Sequence, residues 1–139
     1  MPRTKTIESV ETATATLTYM APCILELRYH DHAQFSPEDV MENMNAIKRL
    51  CDRKGTCCLL NIFPAGMKVQ PPMMNDDYYR DQRDRQRIKA MAVVTDSMEM
   101  YTASKLYFMY HPQPFDARVF EEEHEALEWL KGFCGPSKD

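Results

Sequence analysis

Glycine is scarce in this sequence, with four residues in 139. Loops that cradle a phosphate need closely spaced glycines, because the backbone amides must approach the anion without a Cβ in the way. The four glycines are too scattered for this, and the sequence contains neither a P-loop nor a G-x-G-x-x-G pattern. No G-x-S-x-G motif surrounds Ser97, and a role as the N-cap of a helix accounts for a serine at this position. The sequence therefore carries no nucleotide-binding or serine-hydrolase motif.

The five cysteines form no C-x-x-C pair and no disulfide-like framework. An odd number of thiols without such spacing predicts reduced cysteines and a cytoplasmic protein. Cys57 and Cys58 are adjacent in an apolar segment, so a strand there would point them to opposite faces. The segment His30–His32 offers two histidines without a third convergent ligand, whereas zinc needs three or four. We therefore predict a polar turn there, no metal and no cofactor.

Long apolar runs and excess positive charge are also missing. No segment approaches the roughly 20 apolar residues that span a bilayer, and the N-terminus has no apolar stretch of the signal-peptide kind. The formal net charge is −4. The four arginines of residues 80–87 are balanced by four aspartates of residues 76–84, which predicts a solvated helix face. We expect no membrane span and no nucleic-acid partner.

Periodic segments dominate what the sequence does contain. Residues 12–20 alternate between threonine and apolar residues, which predicts a half-buried strand. Ser36-Pro37 begins an amphipathic helix whose apolar stripe ends before Gly55. The further predicted strands are 23–29, 57–63, 88–95 and 118–120, and the further predicted helices run from Asn75 or Asp76 to Arg87, from Ser97 to Tyr110, and up to Phe133.

This order predicts an α/β protein with a mixed, mostly parallel five-stranded sheet and four helices, in the order β-β-α-β-α-β-α-β-α. We expect one domain over residues 12–134. Residues 1–11 are predicted to be a flexible lead-in, and residues 135–139 a tail.

Two short patterns resemble a known family. Ala90-Met-Ala-Val-Val-Thr-Asp-Ser97 is similar to the strand-to-helix junction of small bacterial SpoIIAA-like proteins. The segment from Val119 to Leu130 is similar to their closing helix. The chain thus resembles the STAS or SpoIIAA-like domain family, and the resemblance covers about Thr12 to Phe133.

The resemblance implies a non-enzymatic protein-interaction or regulatory module. In anti-sigma factor antagonists of this fold, a kinase phosphorylates a serine or threonine after the third strand. The matching segment here, Asn61 to Asp77, contains neither residue type, so that switch is missing. Tyr78 and Tyr79 could accept phosphate only from a different kind of kinase.

One segment stands out as a contact surface. It combines methionines and tyrosines around a proline-rich loop at the end of a central strand, and the helix predicted to begin at Ser97 adds further apolar residues. Methionine suits adaptable apolar surfaces. The predicted contact residues are Met67, Val69, Met73, Met74, Tyr78, Tyr79, Met98 and Tyr101.

Three interpretations of this segment remain open from the sequence. It can form a protein contact, in particular a homodimer interface, or bind a small apolar, lipid-like ligand. Alternatively, Met73, Met74 and Tyr78 pack over the sheet as ordinary core. We expect a non-enzymatic interaction module that self-associates, with the apolar-ligand carrier as the alternative.

Overall fold

The structure is a computed structural model, and it describes residues 8–20, 23–31, 36–55, 57–64 and 88–134. These residues form six strands and three helices. The strands are β1 (Glu8–Glu11), β2 (Ala15–Met20), β3 (Ile24–Tyr29), β4 (Cys57–Ile62), β5 (Ile88–Val94) and β6 (Asp116–Phe120). The helices are α1 (Pro37–Lys54), α2 (Met98–Tyr110) and α3 (Glu123–Lys131).

The six strands form a single sheet in which spatial order follows chain order, from β1 to β6. The first three strands pair antiparallel, and β3 to β6 pair parallel. Strand β4 is buried along its whole length, as its continuous apolar sequence predicts for a strand covered on both faces. The mixed, mostly parallel α/β sheet is therefore confirmed.

The predicted number of strands is wrong by one. Residues 8–11, expected to be a flexible lead-in, form the edge strand β1, whose Val10 packs against the core. The Ser9 hydroxyl lies 3.1 Å from that of Thr18, and Arg53 of α1 forms an ion pair with Glu8. A four-residue strand with one apolar side chain has almost no periodic signal, because its pairing is supplied by β2.

The described residues contain three helices, whereas the sequence predicts four. The remaining predicted helix, from Asn75 or Asp76 to Arg87, lies outside the described residues. No helix within the described ranges combines the length and the apolar character that crossing a bilayer requires.

The two faces of the sheet carry separate cores. Helices α1 and α2 cover the larger one, to which α1 contributes the predicted stripe of Val40, Met44, Ile47 and Cys51. Helix α3 covers the other face. Cys57 and Cys58 lie on opposite faces, as predicted.

The helix starts follow the predicted capping chemistry. Ser36 accepts a hydrogen bond from the Asp39 backbone amide at 3.2 Å, and the Asp39 carboxylate accepts one from the Ser36 amide. At the start of α2, the Ser97 hydroxyl accepts a hydrogen bond from the Met100 amide at 3.3 Å. These bonds satisfy amides that have no partner within their helices.

The prediction that all cysteines are reduced is wrong for two of them. Cys23, just before β3, and Cys134, just after α3, form a disulfide, with Cα atoms 5.6 Å apart. The other three cysteines, Cys51, Cys57 and Cys58, are buried and form no disulfide. A separation of 111 residues in the chain hides this pairing from any spacing rule.

Candidate functional site

A cleft of about 440 Å³ opens at the carboxyl edge of the parallel strands. In open α/β sheets, ligands bind outside the carboxyl ends of the strands, so this is the expected place for a site. The cleft is lined by residues that end or follow β3 to β6: Arg28, Tyr29, Asp31, Ile62, Phe63, Pro64, Val94, Thr95, Asp96 and Glu121–Glu123.

The charge of the cleft is strongly negative. Five carboxylates, from Asp31, Asp96 and Glu121–Glu123, face one guanidinium, that of Arg28. The potential inside such a cleft attracts cations and repels phosphates and nucleotides. The cleft is therefore suited to a basic group.

Arg28 is held by two carboxylates. Its two terminal nitrogens donate to Glu123 at 3.1 and 2.9 Å, and its Nε donates to Glu26 at 3.1 Å. The bonds to Glu123 raise the pKa of Arg28 above its usual value, ahead of the opposing effect of partial burial. About half of each side chain of the Arg28–Glu123 pair is exposed, so the pair contributes at most about 1 kcal/mol. Its main effect is to position the start of α3 beside β3.

The two hydroxyls beside the cleft, those of Thr95 and Ser97, accept hydrogen bonds from backbone amides. Thr95 accepts a hydrogen bond from the Ser97 amide at 3.1 Å, and Ser97 caps α2. The Thr95 amide donates to the Phe120 carbonyl at 3.0 Å, which ties the ends of β5 and β6 together. These hydroxyls therefore position a helix start.

Helix α2 has an unusual surface. Its sequence is largely apolar, yet only Met100 is fully buried. Met98, Met109 and Tyr110 are 72%, 71% and 67% exposed, and Leu106 is also exposed. Helical spacing places Met98, Leu106 and Met109 on one side. An apolar helix of a globular protein normally faces a core, so this surface is suited to a contact.

The predicted contact residues are only partly described. Met67, Val69, Met73, Met74, Tyr78 and Tyr79 lie outside the described residues. Met98 is highly exposed on α2. Tyr101 is half-buried, and the ammonium group of Lys105 lies 5.2 Å from the centre of its ring.

The predicted polar turn after β3 is described as far as Asp31. His30 Nε2 lies 3.4 Å from a Glu11 carboxylate oxygen and 3.3 Å from the Thr16 hydroxyl. This histidine therefore links β3 to the edge of the sheet.

A group of three sulfur atoms lies on the α3 face of the sheet. Cys58 Sγ is 3.7 Å from Cys23 Sγ, next to the Cys23–Cys134 disulfide. Burial raises the pKa of the Cys58 thiol to about 11, so it is a poor nucleophile at neutral pH.

Neither the acidic cleft nor the sulfur group is among the predictions from the sequence. Glu121–Glu123 and Asp96 lie within the two patterns that resemble the SpoIIAA-like family, and neither pattern predicts a cleft. The available signal was that these acidic residues directly follow the parallel strands β5 and β6, whose carboxyl ends meet at one edge.

The sequence also matches a described family. Residues 19–134 match the family described as "Domain of unknown function (DUF7793)". The chain belongs to this family. The matched residues run from β2 to the disulfide-bonded Cys134, so the DUF7793 domain contains the acidic cleft, helix α2 and all three sulfur atoms.

Comparison with solved structures identifies the fold of this DUF7793 domain. A crystal structure of an uncharacterized protein from the DUF3478 family, with a SpoIIAA-like fold, from Shewanella loihica PV-4, superposes with a TM-score of 0.52 at 12% identity. The match covers 94% of this chain and 98% of that chain. The STAS/SpoIIAA-like fold is therefore confirmed. No curated protein is significantly similar in sequence.

Proposed function

We propose that this protein is a non-enzymatic protein-interaction module that self-associates through helix α2. The observation that carries the proposal is the exposure of Met98 and Met109, each more than two thirds exposed on the most apolar helix described. Burying such side chains in a second copy removes apolar surface from water, which is the main driving force for association.

A two-fold axis explains how one helix can form the whole contact. Met98 and Met109 are eleven residues apart, or about 16 Å along the axis, and project from the same side of the helix. In an antiparallel pairing, Met98 of one copy meets Met109 of the other, and Leu106 lies between them. Such a self-complementary contact is the geometry of most homodimers.

The chemistry of the cleft supports a role without catalysis. The hydroxyls of Thr95 and Ser97 accept backbone hydrogen bonds. The acidic lining favours a basic partner segment over an anionic substrate. The absence of serine and threonine from Asn61–Asp77 further favours an interaction that a Ser/Thr kinase does not switch at that segment.

The test is the oligomeric state of matched variants. We expect the wild type to have twice the 16.2 kDa chain mass by light scattering. Met98→Glu combined with Met109→Glu would place charges in the contact and should weaken dimerisation about 100-fold or more. Met41→Glu is the control, because Met41 is 48% exposed but lies on α1.

A wild type that is monomeric at all concentrations would overturn the proposal, as would a double variant that dimerises as well as the Met41 control. Native mass spectrometry of the same samples tests the alternative function. A co-purified apolar molecule on a monomer would favour the lipid-like ligand carrier over the interaction module.

A further inference from the structure

Three cysteines from distant parts of the chain converge under helix α3. The sulfur atoms of Cys23, Cys58 and Cys134 all lie within 4.8 Å of one another. Cys23 precedes β3, Cys58 lies within β4, and Cys134 follows α3. The backbone amide of Cys58 donates to the Cys23 carbonyl at 2.7 Å, which holds two of the three residues in register. The sheet and the end of α3 therefore place the three cysteines together.

The spacing of these sulfur atoms suits a metal ion. Zn–S bonds of about 2.3 Å place the thiolates of a tetrahedral site about 3.8 Å apart. Cys23 and Cys58 are already separated by 3.7 Å. Cys58 is in contact with the disulfide but takes no part in it, so reduction of the disulfide leaves three neighbouring thiols as donors.

We propose that Cys23, Cys58 and Cys134 bind one soft d¹⁰ cation through three thiolates when the Cys23–Cys134 disulfide is reduced. Opening the disulfide takes two electrons and two protons from a dithiol reductant, which becomes a disulfide itself. The cation then displaces one proton from each of the three thiols. Reoxidation of Cys23 and Cys134 by a disulfide, which takes up two electrons and two protons and becomes a dithiol, removes two ligands and releases the ion, and Cys58 takes up a proton from water. Binding is therefore coupled to the redox state.

The donor set selects the class of ion. Thiolates prefer soft cations such as Cu⁺ and Zn²⁺. In the described part of the chain, the cluster contains cysteine only, without histidine or carboxylate. Three thiolates complete a trigonal Cu⁺ site, whereas Zn²⁺ needs a fourth ligand, which water can supply because Cys134 is half-exposed. We therefore expect Cu⁺ to bind more tightly than Zn²⁺.

One side of the cluster is accessible to solvent, and the other is enclosed by the core. The exposed side of the cluster, at Cys134, provides the entry path. Cys58 and its neighbours Ile24, Leu60 and Leu130 are buried and limit access of water from the core side.

Competition titration of the full-length protein tests the proposal. Protein reduced with a phosphine is titrated with Cu⁺ against a chromophoric Cu⁺ chelator, and separately with Zn²⁺ against a zinc indicator. We expect one equivalent of Cu⁺ to bind, and none to bind to the oxidised protein. Cys58→Ala should lower the affinity about 100-fold or more, since loss of even a supporting group costs 10–100-fold.

Cys57→Ala provides the matched control, because Cys57 is a buried neighbour of Cys58 on the opposite face of the sheet. Circular dichroism verifies that each variant is folded. If Cys58→Ala does not fold, protection of Cys134 from alkylation by Cu⁺ in the reduced wild type is measured instead. Equal binding by the Cys58 and Cys57 variants, or no protection of Cys134, would overturn the proposal. Zn²⁺ binding without Cu⁺ binding would also contradict the expected order.

Discussion

Two buried asparagines differ in whether their side-chain amides have hydrogen-bond partners. Asn43 on α1 accepts from the Thr12 hydroxyl at 2.6 Å and donates to that of Thr14 at 3.0 Å. Asn61 on β4 is only 1% exposed, and within the described ranges neither its amide nitrogen nor its oxygen has a partner. An unpaired buried amide costs roughly 1–3 kcal/mol. Asn61 therefore weakens the centre of the sheet.

We expect Asn61→Leu to raise the free energy of unfolding by about 1–2 kcal/mol, because leucine has a similar shape and leaves no amide unpaired. Asn61 pairs in register with Leu27 and Val93, so the new side chain joins apolar neighbours. Urea unfolding measures the change. Asn43→Leu is the control and should lower stability by about 1–3 kcal/mol, since it removes the hydrogen bonds of Asn43 with the hydroxyls of Thr12 and Thr14. Equal effects of the two substitutions would contradict this account.

At the scale of the elements, the capping box of α1 carries a separate prediction. Ser36→Ala removes the hydroxyl that accepts from the Asp39 amide, and should lower the free energy of unfolding by about 1 kcal/mol. Ser104→Ala is the matched control, because Ser104 lies inside α2, where alanine has the higher helix propensity. Thermal unfolding followed by circular dichroism measures both. A Ser104 variant as unstable as the Ser36 variant would show that capping is not the cause.

Elements with strong periodicity could be predicted from the sequence. The stripe from Val40 to Cys51 and the apolar run of β4 determine which surface each element buries, and both predictions are confirmed. Strand β1 could not be predicted, because Glu8–Glu11 is polar and depends on β2 for pairing. The exposure of Leu106, Met109 and Tyr110 on α2 was equally hidden, since the sequence of this helix alone is typical of a buried helix.

At the scale of the whole molecule, the sequence does not show which residues from distant parts of the chain lie close together in the fold. Cys23, Cys58 and Cys134 are unremarkable in the sequence, and only the path of the sheet brings them together. The acidic cleft arises similarly, since Asp31, Asp96 and Glu123 follow different strands that end at one edge. Local patterns determine elements, whereas such sites depend on strand order and register.

The Cys23–Cys134 disulfide gives a prediction about global stability. It joins positions 111 residues apart, and so restricts the unfolded chain over most of its length. Bonds that close long loops contribute typically about 2–4 kcal/mol. We expect reduction to lower the free energy of unfolding by this amount in urea. The single tryptophan, Trp129, reports the transition, because its ring centre lies 4.9 Å from that of Phe133 at the end of α3.

Cys134→Ala is the control for that measurement, because its stability should no longer depend on a reductant. Thiol titration of the denatured, unreduced wild type provides an independent check. We expect three reactive thiols, from Cys51, Cys57 and Cys58. Five would show that the bond is absent from the purified protein. Three thiols together with unchanged stability on reduction would instead mean that α3 is held by packing of Ala126 and Leu130 alone. The covalent bond would then have little influence on the fold.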